Sequence, residues 1–202
     1  MVYQLLTRET RFQLEIDPSV YDDPAELGYE ALLFYGLFGR MIRAHLAGEP
    51  IPSAWQTALD AAREGNWSGG HDMLLAINAH VQRDMPFAVS QAGLVLPDGR
   101  SRKADHDRFN DELKRTYPVI VQAIGGRFGP VMLTVAEAGQ AGVQQLVALW
   151  REDVWRNAER LQADPEGPIA GLTRESIELQ ARATVLLMKV GDTPSRRAAG
   201  DV

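Results

Sequence analysis

Apolar residues recur at helical spacing along most of the chain, and this pattern predicts an almost entirely helical protein. Asp23-Pro24 combines a capping residue with a proline suited to the first helical position. It predicts a helix that runs to about Ala47 and ends at Gly48. Residues 11–16 instead alternate polar and apolar positions, which predicts a short strand. Since no comparable second strand pattern follows, we do not expect a sheet.

The same periodicity predicts the remaining helices. One helix is expected from Ser53 to before Gly65, and the next starts after residues 68–70 and is interrupted at Pro86. A helix over 103–128 is expected to kink at Pro118, and one over roughly 131–162 to break near Gly139 and Gly142. The last helix is expected to be capped by Thr173 and to run to about Val190. The helix over 24–47 is apolar nearly all round, which is typical of a central helix. The prediction is therefore all-α: a single domain over 1–190, a bundle of about five to seven helices around a central apolar helix. Residues 191–202 are expected to form a disordered tail.

Composition excludes several classes of protein. The 202 residues are 45% apolar and 24% charged, which is typical of a globular domain. A net charge of −6 argues against binding of duplex nucleic acid. The absence of cysteine excludes thiol nucleophiles and cysteine metal sites. No apolar run is long enough to cross a bilayer, and no targeting segment opens the chain, so we expect a cytoplasmic protein that binds no membrane.

The segment 71–91 carries the first candidate site. On a helical wheel His80 and Asp84 lie one turn apart, inside an apolar stripe that includes Met73 and Ile77. A carboxylate on an apolar face is costly unless it is paired, and His80 is the nearest partner. Three interpretations are open: the two residues form a structural pair in the core, they form an acid/base pair, or they are two metal ligands at positions i and i+4.

A second polar pair interrupts an apolar face in the next helix. His106 and Asn110 lie one turn apart there, beside Leu113 and Tyr117. Buried polar groups need partners, so we expect this pair to lie within about 8 Å of His80 and Asp84. Polar groups that converge between helices are the usual form of a site in a helical bundle.

Three segments resemble an uncharacterised bacterial family, one of the domains of unknown function. They are LLAINAHVQRDMP at 74–86, DHDRFND at 105–111 and WREDVWRNAERL at 150–161. The resemblance covers roughly residues 12–163 and implies an all-α fold, with motif positions at His80, Asp84, Asp107 and Asn110. It implies no established reaction. The His80-to-Asp84 step before Met-Pro is also similar to one metal-binding helix of zinc-dependent phospholipases C and single-strand nucleases.

These observations leave three functions open. The first is an enzyme that cyclises, dehydrates or isomerises a small, largely apolar biosynthetic molecule without a cofactor, with His80, Asp84, His106 and Asn110 as acid/base and orienting groups. The second is a hydrolase with a single zinc or iron ion held by His80, Asp84 and His106. The third is a non-catalytic helical protein that binds a ligand or partner. The partners that these functions imply are a small-molecule substrate and, in a homodimer, a second copy of the chain.

Overall fold

The computed structural model describes residues 2–65, 69–128 and 139–191. Within these ranges the chain forms eight α-helices, a 3-10 turn at Pro18–Val20 and a π-helical turn at Ala79–Asp84. The α-helices are α1 (Val2–Ile16), α2 (Pro24–Leu46), α3 (Ser53–Glu64), α4 (Gly69–Asn78), α5 (Met85–Ala92), α6 (Lys103–Phe128), α7 (Gln140–Ala163) and α8 (Pro168–Gly191). Because α4, the π turn and α5 follow one another without a break, the described chain has seven long helices, and the all-α prediction is confirmed.

Chain contacts define two compact units. The first unit comprises Met1–Tyr29 and Gly93–Glu152, and the second comprises Glu30–Ala92 and Asp153–Val202. Each unit therefore draws on two separate stretches of sequence. No single linker along the chain divides one from the other.

The second unit has an apolar core built largely on small residues. Alanines at 54, 58 and 61 line the buried face of α3, and small side chains allow neighbouring helices to approach closely. The core members are Met41, Ala54, Trp55, Ala58, Ala61, Leu75, Ala79, Ala181 and Val185. Trp55 is the largest side chain in this core.

The strand predicted over residues 11–16 is wrong, because these residues end helix α1. Half-buried side chains recur in adjacent pairs, at 5 and 6, 9 and 10, and 13 and 14, which is a helical period. In the first unit α1 packs against α6. Phe12 and Ile16, which suggested a buried strand face, are instead 57% and 64% exposed. A single strand without a partner has no ladder to satisfy its backbone, whereas a helix bonds internally.

Helix α2 begins as predicted but is not buried on all sides. The Asp23 carboxylate accepts a hydrogen bond from the Glu26 backbone N–H at 3.0 Å, and Gly48 ends the helix with φ of +72°. However, Leu32, Tyr35 and Leu46 are exposed. Apolar composition alone does not bury a side chain, since much of any protein surface is apolar, so α2 leaves part of its apolar surface exposed.

The last two helices differ from their predicted limits. Helix α8 begins at Pro168, and the Thr173 hydroxyl donates to the Ile169 carbonyl at 2.8 Å inside the helix, so Thr173 is not the cap. Proline is favoured at the start of a helix because its missing N–H would be unsatisfied there anyway. Residues 131–138 of the predicted fifth helix and most of the predicted tail, from residue 192, lie outside the described residues. In the described ranges, no helix is long and apolar enough to span a bilayer.

Candidate functional site

The first candidate pair lies on the π-helical turn between α4 and α5. The Met85 backbone N–H bonds to the carbonyl of His80, five residues back rather than four. Pro86 explains the widening, because a proline in a regular helix has no N–H and clashes with the carbonyl four positions earlier. Single π turns within α-helices are frequent at functional sites.

His80 and Asp84 lie on one face of this turn, opposite Trp55 of α3. The Trp55 indole N–H donates to Asp84 Oδ2 at 2.7 Å, and the same indole meets the His80 ring edge-on with centroids 5.9 Å apart. The predicted shared face is therefore confirmed. Asp84 is 1% exposed, so its prediction as a buried carboxylate is also confirmed.

Aromatic rings surround the His80 imidazole. Phe34 stacks on it with ring centroids 3.6 Å apart, and Phe38 meets it edge-on at 6.1 Å. Burial among these rings disfavours the charged imidazolium and lowers the pKa of His80 to about 3. His80 is therefore neutral across the physiological pH range. We call Phe34, Phe38, Trp55 and His80 the aromatic cluster.

The Asp84 carboxylate is held from two sides. Arg83 donates to Asp84 Oδ1 at 2.7 Å and to Glu178 of α8 at 2.7 Å, while Trp55 occupies Oδ2. Burial raises the pKa of Asp84, and the hydrogen bonds from Arg83 and Trp55 oppose that rise. Arg83 also lies over the Phe87 ring, with its guanidinium carbon 5.2 Å from the ring centroid. The geometry of this carboxylate is thus fixed by its neighbours.

Sequence reasoning missed a further buried pair, formed by the last residue of α4 and a residue of the π turn. Asn78 and Gln82 are 0% and 4% exposed. The Asn78 amide donates to the Ala181 carbonyl at 2.9 Å, and Gln82 donates to Asn78 and to the Thr184 hydroxyl. They anchor the turn to α8. Their spacing of four residues was the available signal, since it matches the spacing of His80 and Asp84.

In the first unit, His106 and Asn110 both bind Arg151. His106 Nε2 lies 2.9 Å from the Arg151 carbonyl oxygen, and Arg151 Nε donates to Asn110 Oδ1 at 2.9 Å. The Arg151 guanidinium also donates to the His106 carbonyl and lies 5.0 Å over the Phe109 ring. Arg151 is 2% exposed, so this network fixes α6 against α7 within the unit. Burial, with Arg151 nearby, holds the pKa of His106 well below its usual range.

The resemblance pointed to Asp107, but the buried carboxylate beside it is Asp105. Asp105 accepts hydrogen bonds from the backbone N–H groups of Asp22 and Asp23 at 2.8 and 2.9 Å, and Arg108 donates to it at 2.7 Å. Asp107 is exposed and pairs with Lys103. Asp105 therefore ties the start of α2 to α6 inside the first unit.

The two polar pairs make their hydrogen bonds within separate units. His80 and Asp84 belong to the second unit, and His106 and Asn110 belong to the first. Their convergence on one site stays a prediction. Across the ranges that the structure describes, no group of three or more histidine, aspartate or glutamate side chains is arranged to hold a metal ion. The metal site predicted from His80, Asp84 and His106 draws on both units, and it stays a prediction.

The low pKa of His80 makes stability depend on pH. Below pH ~6.5 an unfolded chain protonates this histidine while the folded chain does not, so stability should fall as pH decreases toward 3. The slope is about 1.4 kcal/mol per pH unit for one such group. Urea unfolding at pH 7 and pH 5 should show the wild type losing about 2 kcal/mol more than a His80→Phe variant. An equal loss in both proteins, or an NMR titration of His80 with a midpoint near its ordinary value, would contradict this prediction.

Comparison with known proteins adds a family but no relative of known activity. No curated protein and no solved structure matches the chain. One family matches nearly its full length, over residues 1–189. With that coverage, the chain belongs to the family of unknown function DUF5995.

Proposed function

We propose that this protein is an enzyme that acts on a small, largely apolar organic molecule by acid/base chemistry. One observation carries the proposal: neutral His80 and the buried carboxylate of Asp84 share one π-helical turn, and both contact other rings of the aromatic cluster. Groups whose environments shift their pKa values in opposite directions are typical of acid/base sites. Here burial lowers the pKa of His80 and raises that of Asp84.

Access to the site favours an apolar substrate. Phe34 and Trp55 are buried, whereas Phe38 and His80 are half-buried. Both ring nitrogens of His80 are buried, so a molecule would reach them only by displacing the edge of one of these half-buried rings. Aromatic faces bind apolar carbon skeletons and also stabilise developing positive charge.

The two residues would have different roles. A neutral imidazole with so low a pKa is a weak base, and it serves better as a hydrogen-bond donor toward an oxygen that gains negative charge. Asp84 would exchange the proton, since burial raises the pKa of its carboxyl group. Trp55 and Arg83 would hold the carboxylate in position. Cyclisation, dehydration and isomerisation all fit this pair, and none of them requires a cofactor.

We assign His106 and Asn110 to positioning rather than proton transfer. Their hydrogen bonds are already engaged with Arg151, and the pKa of His106 is low. In this proposal they keep α6 and α7 in place within the first unit.

A second candidate is a non-catalytic helical binding protein. It is favoured by the fact that both oxygens of Asp84 already accept hydrogen bonds, from Trp55 and Arg83. A carboxylate that is satisfied in this way also fits a purely structural role. The metal-dependent hydrolase, with its one-helix similarity to zinc phospholipases, stays a prediction that metal analysis of the purified protein tests directly.

The test compares wild type with His80→Phe. Phenylalanine keeps an aromatic ring against Phe34 but removes both ring nitrogens, so the fold should survive. Each protein is incubated with a small-molecule cell extract, and mass spectrometry records which compounds disappear and which isomers or dehydrated products form. We expect conversion by wild type and by a His45→Gln control, and none by His80→Phe. Conversion by all three would refute the role of His80, and conversion by none would favour the non-catalytic candidate.

A further inference from the structure

Helix α8 carries a second apolar face that its own unit leaves exposed. Its buried face is formed by Ala170, Thr173, Ile177, Ala181 and Val185. On the other side of the helix, Ile169, Leu172, Leu179 and Leu186 are 50%, 68%, 67% and 63% exposed. Exposed apolar stripes of this kind mark interaction surfaces.

The exposed residues follow a heptad repeat. Ile169, Ser176 and Ala183 are spaced seven apart, and Leu172, Leu179 and Leu186 follow them by three residues each. These are the a and d positions of a coiled-coil seam. All six are exposed, and α8 is 24 residues or ~36 Å long, so the seam spans most of its length. We call these six residues the α8 seam.

The sizes of the seam residues favour an antiparallel partner of the same sequence. In an antiparallel pair, a positions meet d positions of the partner. Leu172 then faces Ala183 of the other copy, and Leu179 faces Ser176, so that a large side chain meets a small one in these layers, while Leu186 faces Ile169 at each end of the seam. A parallel pair would instead stack Ser176 on Ser176 and Ala183 on Ala183, which leaves gaps in the seam.

Charges beside the seam point to the same arrangement. Glu175 and Arg182 are exposed and lie seven residues apart along one edge of the seam. In an antiparallel pair this edge lies against the same edge of the other copy, which runs in the opposite direction. Glu175 of each copy then lies opposite Arg182 of the other, which gives two such contacts. Within the described part of the chain, neither residue forms an ion pair. In a parallel pair the same edge would instead face Gln180 and Leu187.

We propose that two copies of this chain form a homodimer by antiparallel pairing of their α8 seams. The interface is isologous, with the same surface on both subunits, as in most soluble homodimers. The proposal does not depend on any catalytic activity.

Charge reversal tests both the interface and its direction. Analytical ultracentrifugation of the full chain should give twice the chain mass of 22.3 kDa at micromolar concentrations. Glu175→Arg alone or Arg182→Glu alone places like charges opposite each other twice, and each should weaken dimerisation about 100-fold. Mixing the two variants restores both opposite-charge contacts, so the mixture should form dimers again. The double variant should also dimerise.

A substitution at the centre of the α8 seam and a matched control complete the test. Leu179→Glu places a charge at the centre of the seam and should leave a folded monomer. Leu46→Glu changes an equally exposed leucine on α2 and should leave the dimer intact. Circular dichroism checks that each variant is folded. A monomeric wild type at all concentrations would overturn the proposal, as would a dimer that tolerates Leu179→Glu or single charge variants that do not recover on mixing.

Discussion

Replacing Asp84 with asparagine should lower turnover by roughly 10²–10⁴-fold, the usual contribution of a positioned acid/base group. Asparagine has nearly the same volume, and its amide oxygen can still accept the Trp55 indole N–H. The carboxyl group that exchanges the proton is lost. The measurement is the rate of conversion of whichever compound the wild type consumes, with Asp111→Asn as a control on an exposed carboxylate of α6.

The same variant separates catalysis from structure. An amide costs less to bury than a carboxylate, but the change also removes a charged partner of Arg83, which keeps Glu178. We therefore expect the free energy of unfolding to shift by no more than about 2 kcal/mol. Unchanged turnover in a folded Asp84→Asn protein would exclude Asp84 as the acid or base.

Replacing Arg151 with methionine should destabilise the protein by about 2–4 kcal/mol. Methionine keeps much of the aliphatic packing but removes the donors that reach Asn110 Oδ1 and the His106 carbonyl. The His106 carbonyl is left on a buried residue, where an unsatisfied polar group costs about 1–3 kcal/mol, while half-buried Asn110 loses its charged donor. The cation–π contact with Phe109 is lost as well.

Denaturant unfolding measures this effect. Arg43→Ala, on the exposed surface of α2, serves as the control and should change stability by less than about 0.5 kcal/mol. A loss below about 1 kcal/mol in Arg151→Met would mean that the buried arginine adds little to the first unit. The hydrogen bonds of His106 and Asn110 would then need another explanation.

Sequence periodicity predicted the helices well where caps and turns were explicit. Helix α6 has the predicted limits, and Asp23 caps α2 through the expected hydrogen bond. Residues 11–16 misled because six residues of alternation are too few to distinguish a strand from the end of an amphipathic helix. Exposed leucines on α2 and α8 could not be distinguished from core leucines, since periodicity shows which residues share a face but not what covers it.

The candidate site was predictable only in part. The helical wheel placed His80 and Asp84 on one face, and in the structure Trp55 of α3 contacts both residues on that face. The identity of that partner depends on a tertiary contact between residues 29 positions apart, which no local pattern contains. The partners of Asn78 and Gln82 were unpredictable for the same reason, because Ala181 and Thr184 lie about a hundred residues later.

The interleaving of the two units along the chain constrains the order in which the protein can fold during synthesis. The N-terminal helix belongs to a unit that is complete only when residue 152 has been made, and the second unit needs residues up to the end of α8. Asp105 must close a loop of more than 80 residues to reach the start of α2. Neither unit can therefore complete its folding early on the ribosome, as an N-terminal domain usually does. Until then α1 and α2 must remain soluble without their partners, and folding should accelerate only after most of the chain has emerged.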